Sequence, residues 1–308
     1  TMLQTALLAV AWWQTERCLR EEPSVRLLAG LSTVMALALM TRLDSAVVGL
    51  VLGLAVVRRL VTARAPARVW LAAVGPSLGS LSGWLGWKLV YYGDVLPNTF
   101  HAKAEASLDS VAIGALVLGR FLHAYGLWAF FGLAMLVGAR HLRRVVLPLT
   151  MSLAWFGYVV LVGGDFMEFR FFVPVLPALF VTLAELVTLE GGRVRAELRA
   201  ASAVVGLAGL SMVHAETARP SPDHTTDSIR QMAGLYGHLK GGDWGRLGRP
   251  LHQVLAGTGA TIACNGAGAI PYYADLPAVD QLGLVDPWVA RHGVRPGPEY
   301  RRPGHQRF

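Results

Sequence analysis

Apolar runs of 12 to 22 residues alternate with short loops along the first two thirds of the chain, and every second loop is rich in arginine. A helix that crosses a bilayer needs about 20 mostly apolar residues, fewer where its ends snorkel. Eight segments meet that description: Met2–Trp13, Val25–Met40, Ser45–Val57, Val69–Val90, Phe121–Ala139, Val145–Gly163, Phe171–Leu189 and Ala200–Val213. Val111–Leu118 is a further apolar stretch, too short to span. Composition agrees, because only 16% of the 308 residues are charged and the mean hydropathy is +0.45. Soluble domains carry about a quarter charged residues. The expectation is a mainly α, polytopic membrane bundle.

The loops set its orientation. Those after the first, third, fifth and seventh segments carry Arg17, Arg20 and Arg26; Arg58, Arg59, Arg64 and Arg68; Arg140, Arg143 and Arg144; Arg193, Arg195 and Arg199. Against them stand Glu16, Glu21, Glu22, Glu190 and Glu197, so these loops account for the whole net charge of +8. Basic loops stay on the cytoplasmic side. The high isoelectric point is therefore a topological signal, and a nucleic-acid partner loses its support. Cys18 and Cys264 fall on opposite sides and do not pair.

This topology divides the chain into a membrane domain, residues 1–213, and an extracytoplasmic domain, residues 214–308. The second differs in composition, with Pro and Gly punctuation and six of the nine histidines. A strand over Thr261–Cys264, turns at Asn265–Gly268 and a mixed segment over Ala278–Leu284 predict a small α/β or α+β fold. The glycines at 266 and 268 do not make a dinucleotide fingerprint, and no P-loop, HExxH or GxSxG occurs. The histidines lack zinc-ligand spacing. No signal peptide is visible at Thr1, and the chain reads as lacking an upstream part.

Three polar clusters lie at the extracytoplasmic ends of the segments. They are Thr41-Arg42-Leu43-Asp44; Tyr91–Lys103, with Asp94, Asn98, His101 and Lys103; and Gly163–Pro174, with Asp165, Glu168 and Arg170. Ionisable groups at membrane depth are costly and mark function by default. Plainer readings stand beside that one. Arg42 and Asp44 could form an interfacial ion pair, Asp94 could cap a turn, Asp165 could pair with Arg170, and the phenylalanines around Arg170 suit interfacial anchors.

The second and third clusters resemble a family of bacterial membrane glycosyltransferases. Tyr-Tyr-Gly-Asp-x-Leu-Pro-Asn-Thr-Phe-x-Ala-Lys at Tyr91–Lys103 and Gly-Gly-Asp-x-Met-x-x-x-Arg-Phe-x-Val-Pro at Gly163–Pro174 are similar to motifs of GT-C enzymes that use polyprenyl-phosphate sugars. The mycobacterial terminal β-(1→2)-arabinofuranosyltransferase family is the nearest likeness. Thr41–Asp44 resembles that family's Thr-Arg-x-(Asp/Glu) segment. Gly266–Tyr273, Asp280–Asp286 and Pro303–His305 look like its extracytoplasmic domain.

The resemblance implies transfer of a sugar, arabinofuranose by the likeness, from a polyprenyl-phosphate donor to a cell-envelope glycan outside the cytoplasm. Arg42, His101, Lys103 and Arg170 would then hold the donor phosphate. Asp44, Asp94, Asn98, Asp165 and Glu168 would bind or orient the sugar, and Tyr272, Tyr273, Asp280 and Trp288 would contact the acceptor. No cofactor is required, although a divalent metal could be held among Asp44, Asp94 and Asp165. The family's general base lies in a first extracytoplasmic loop, expected upstream of Thr1, and Met2-Leu3-Gln4-Thr5 lacks the acid of the family's Gly-Met-Glu-Thr-like segment. Rival readings are a non-catalytic module that binds lipid-linked sugars and a lipid-sugar flippase.

Overall fold

The computed structural model describes residues 1–103, 107–128, 139–188 and 244–294, with individual positions between 205 and 232. The chain is mainly helical. It divides into two units that interleave along the sequence. The first comprises Thr1–Val95, Leu122–Val159 and Arg170–Leu210; the second comprises Leu96–Phe121, Val160–Phe169 and Ser211–Phe308.

The first unit begins with four helices: α1 (Met2–Arg20), α2 (Val25–Thr41), α3 (Ala46–Thr62) and α4 (Ala67–Tyr92). α2 starts at Ser24, whose hydroxyl accepts from the Leu27 N–H, the usual remedy for an orphan amide at a helix start. It packs between α1 and α4. Against α4 the contact is knit by two small residues. The hydroxyls of Ser32 and Ser77 lie 2.8 Å apart, the Ser77 N–H donates to Ser32 Oγ at 2.9 Å, and Ser77 Oγ donates to the Ser32 carbonyl at 2.6 Å. These bonds sit beside Pro76, which has no N–H for the helix ladder.

Over Ala46–Val57, before Arg58 and Arg59, α3 is apolar all the way round. Val48, Leu52, Val56 and Leu60 are buried, while Leu50, Leu54, Val57 and Val61 are exposed on the opposite face. A water-facing helix carries polar residues there. With the short turn before it, Leu43–Thr62 is long and apolar enough to cross a membrane by length and composition, the one such helix among the described residues. Val25–Thr41, Val145–Leu161 and Arg170–Thr182 are shorter apolar helices.

Several sequence boundaries move: α3 runs on to Thr62, the helix expected from Val145 begins at Ala139, and two further shifts have visible causes. α1 runs on to Arg20, seven residues beyond the expected end, where Arg17 pairs with Glu21 and Arg20 with Glu16 one turn apart. The segment expected over Phe121–Ala139 is interrupted, because α6 (Leu108–Ala124) joins Val111–Leu118 to its start and then stops. Gly126 takes φ +61°, the Leu127 N–H reaches back to the Leu122 carbonyl at 2.8 Å, and Leu127 is buried. That left-handed glycine closes the helix. Residues 129–138 and most of Ala200–Val213 lie outside the described residues. Further on come α7 (Ala139–Leu161), a 3-10 turn at Arg170–Val175, and α8 (Leu176–Thr188).

In the second unit, α5 (Asn98–Lys103) packs against α11 (Pro287–His292). Between α9 (Gly245–Leu255) and α11, strand β1 (Ile262–Cys264), helix α10 (Ala269–Ala274) and strand β2 (Ala278–Asp280) form a minimal parallel β-α-β element. Cys264 is paired in register with Asp280. Both cysteines are free and buried. Burial, reinforced by the neighbouring Asp280 carboxylate, pushes the Cys264 thiol above the usual range.

Gly283 turns the chain from β2 towards α11 at φ +65°, and a Cβ there would sit 2.6 Å from the Ala290 nitrogen. Gly283→Ala is therefore expected to destabilise this element by about 1–3 kcal/mol. Limited proteolysis across residues 244–294 on a temperature ramp checks it: cleavage should begin at lower temperature than in the parent.

Candidate functional site

In the first unit a single carboxylate gathers three parts of the chain. Asp44 follows the C-terminus of α2, and its side chain is only 8% exposed. Gln4, on the first turn of α1, donates from Nε2 to Asp44 Oδ1 at 2.6 Å and to Ser45 Oγ at 3.1 Å. Arg42 donates from Nε to both carboxylate oxygens at 3.2 and 3.1 Å, and from Nη2 to Oδ2 at 2.5 Å. The Tyr158 hydroxyl of α7 approaches Oδ2 at 3.5 Å. Ser45 Oγ donates in turn to the Ala38 carbonyl at 3.0 Å. A carboxylate out of water needs this density of donors.

The consequence is a fixed guanidinium. Arg42, clamped by Asp44, sits with its guanidinium carbon 5.4 Å from the centre of the Phe171 ring. The guanidinium of Arg170 lies 5.8 Å from the same ring. Phe171 is itself held from behind, since the Trp155 indole N–H donates to its carbonyl at 2.5 Å. Two cations thus share one aromatic platform, with the Asp44 carboxylate on Arg42. A guanidinium is a planar, forked donor of the kind that suits phosphate oxygens. The sequence set Arg42 and Asp44 apart from Arg170 by more than a hundred residues; the fold joins them.

Gln4, Tyr158, Trp155 and Phe171 were not singled out as site residues by pattern. A polar amide four residues into an apolar run was the available signal for Gln4. Its orientation is set by Asp44, because turning the amide over would bring two oxygens together. That leaves Gln4 Oε1 buried and without a hydrogen-bond partner.

Lys88 is another residue that pattern passed over. It is buried in α4, donates to the Val95 carbonyl, and stands 5.0 Å from the Trp84 ring centre. It therefore ties down the loop that carries half-buried Asp94. Trp87, Tyr91 and Tyr92 form an exposed aromatic cluster beside it, with centroids 4.7 to 5.7 Å apart.

The remaining candidates belong to the second unit. Asp165 is buried, and the two glycines before it adopt φ +81° and +77° so that the backbone can press onto α6. A Cβ on Gly164 would meet Val117 at 3.0 Å. Glu168 lies 3.1 Å from His214 Nε2, and Phe169, at φ +54°, stands between the rings of Phe121 and His214 at 5.4 and 5.2 Å. Asn98 and His101 lie on α5, which packs on the helix bearing exposed Trp288. The Lys103 side chain lies outside the described residues. Tyr272 and Tyr273 are exposed on α10, their rings edge to face at 5.2 Å.

Asp280 is 2% exposed, and its two oxygens accept the N–H groups of Leu282 and Val285 at 3.0 and 2.8 Å, the work of a turn brace. Among the described residues, no group of three or more His, Cys, Asp or Glu side chains is arranged to hold a metal ion.

A family profile described as a domain of unknown function (DUF8728) matches residues 231–306, the stretch that holds α9, β1, α10, β2 and α11. No curated protein and no solved structure matches the chain.

The Gln4–Asp44 contact generates a sharp test. Gln4→Glu replaces a donor with a second carboxylate at 2.6 Å and should destabilise the first unit by about 2–4 kcal/mol at neutral pH. Like charges that share a proton are relieved in acid, so the deficit against the parent should shrink as pH falls. Thermal unfolding of both proteins across pH 4–8, as about the accessible range, measures it. Gln4→Met, which removes the donor but introduces no second carboxylate, should show a weaker pH dependence than Gln4→Glu.

Proposed function

We propose that this protein is a multi-pass glycosyltransferase of the GT-C type in a bacterial plasma membrane. It moves a sugar from a polyprenyl-phosphate donor to a cell-envelope glycan, with the C-terminal portion of the chain extracytoplasmic. The resemblance of Tyr91–Lys103 and Gly163–Pro174 to that family supplies the reaction class and suggests arabinofuranose as the sugar. One observation carries the reading on physical grounds: the Arg42 and Arg170 guanidiniums flank Phe171, with Arg42 clamped by Asp44.

The chemistry asks for such a pair. When the glycosidic bond to phosphate breaks, negative charge grows on the leaving phosphate. Cations fixed beforehand stabilise that charge without having to reorganise. A polyprenyl chain keeps its phosphate at the membrane surface, and Arg42 and Arg170 follow the ends of apolar helices. Asp44 acts here as a positioning residue for Arg42, in line with the orienting half of its expected role. Tyr272, Tyr273 and Trp288, exposed on the second unit, remain the stacking surfaces proposed for the acceptor.

The membrane part of the reading has its own support. α3 exposes Leu50, Leu54, Val57 and Val61, and α4 exposes Leu71, Val74 and Leu78, rows that are stable against lipid and costly against water. Aromatic residues occur towards both ends, with the Trp87–Tyr91–Tyr92 cluster at one and Trp13 under the Arg17 guanidinium at the other. Arg59 donates to the carbonyls of Cys18 and Glu21 at 3.4 and 3.1 Å, which ties the arginine-bearing ends of α1 and α3 together. That grouping suits a cytoplasmic face.

Two measurements test the proposal. Membranes containing the protein should pass label from a polyprenyl-phosphate sugar to an envelope glycan, and Arg42→Ala or Arg170→Ala should each lower transfer by about 100-fold or more. Binding of the labelled lipid without transfer would favour the binding-module reading, and neither binding nor transfer would overturn the proposal. Sidedness is separable. Leu43→Cys should react with an impermeant maleimide in intact cells, whereas Glu22→Cys should react only after permeabilisation; the reverse pattern would invert the topology.

A further inference from the structure

α9 is an amphipathic helix that leaves part of its apolar surface outside. Its sequence, Gly245-Arg246-Leu247-Gly248-Arg249-Pro250-Leu251-His252-Gln253-Val254-Leu255, brings Leu247, Pro250 and Val254 onto one stripe at helical spacing. A water-soluble domain would turn that stripe inward. Here the side that packs on the domain holds buried Gly245 and Gly248 with half-buried Leu251 and Leu255, and a Cβ on Gly248 would lie 2.6 Å from the Ile270 carbonyl and 2.8 Å from Tyr273 Cβ. His252 Nδ1 lies 2.9 Å from the Ala274 carbonyl on the same side. The stripe is left outside, with Leu247 53% and Val254 75% exposed.

What borders the stripe identifies its counterpart. Arg246 and Arg249 lie along one side of it, and the helix carries no acidic residue. The Arg249 guanidinium is held 4.9 Å from the Tyr273 ring centre, and Tyr272 beside it is 78% exposed. Aliphatic tips, tyrosines and guanidiniums on one surface match the three layers of a bilayer interface: acyl boundary, headgroup level and phosphate.

We propose that α9 docks the second unit on an anionic lipid surface, with Leu247, Pro250 and Val254 entering the acyl boundary and Arg246 and Arg249 binding lipid phosphates. The inference needs a bilayer near this unit but not the sugar-transfer reaction, so it stands or falls apart from the activity proposed above.

The test uses the full chain in nanodiscs. Val254→Cys is labelled with an environment-sensitive NBD fluorophore; both native cysteines are buried, and mass spectrometry confirms single labelling. In bilayers containing phosphatidylglycerol the label should be shielded from aqueous iodide and quenched by doxyl lipids. In pure phosphatidylcholine both effects should weaken, with the docked-to-undocked ratio falling by about 30-fold for two arginines that each contribute about 1 kcal/mol at an anionic surface. Arg246→Gln/Arg249→Gln should behave in phosphatidylglycerol as the parent does in phosphatidylcholine. Leu247→Gln should reduce doxyl quenching while leaving the lipid preference in place. A label open to iodide in both bilayers overturns the proposal. So does a label shielded equally in both and in detergent, which would mean that protein rather than lipid covers the stripe.

Discussion

A carboxylate withdrawn from water at the end of a helix must be answered by donors from somewhere, and Asp44 draws them from three elements. The amide of Gln4, the guanidinium of Arg42 and the hydroxyl of Tyr158 converge on it, fixing the start of α1, the end of α2 and the last turns of α7 relative to one another. Removing one partner would leave a buried charge uncompensated, a cost larger than the strength of any single bond in the set. The rigid Arg42 and its relation to Phe171 and Arg170 follow from that constraint.

The body of the first unit is organised by a different rule. α3 and α4 bury one apolar face and expose another, so the burial that holds the helices together does not exhaust their apolar surface. Small residues and short hydrogen bonds fix the α2–α4 contact, where Ser32 meets Ser77. The second unit relies instead on glycine. Gly164, Gly248 and Gly283 each allow an approach that a Cβ would obstruct, and two of them take backbone angles that favour glycine.

How much of this was legible differs from residue to residue. Helices at 25–41, 46–62 and 67–92 follow the apolar runs at Val25–Met40, Ser45–Val57 and Val69–Val90. The run from Phe121 misled because hydropathy is blind to a left-handed glycine, and Gly126 ends a helix that composition would continue. Asp280 drew attention as an acid in a recognisable motif, yet its oxygens are spent on backbone amides of its own turn. α9 escaped notice since its stripe is short and its neighbours are arginines and glycines.

By itself, the sequence determined the helical character, the recurrence of arginine between alternate apolar runs and a small mixed α and β segment near the C-terminus. Those properties are local: they depend on periodicity, capping residues and charge order along the chain. Tertiary structure alone decided that Gln4, Arg42, Asp44, Tyr158 and Arg170 share one neighbourhood, and that the stripe on α9 faces out rather than in. Both are matters of which surfaces meet. A pattern read along one strand of sequence carries the period of a helix but not the identity of its neighbour, because packing is settled by the shapes and unsatisfied donors of residues far apart in the chain.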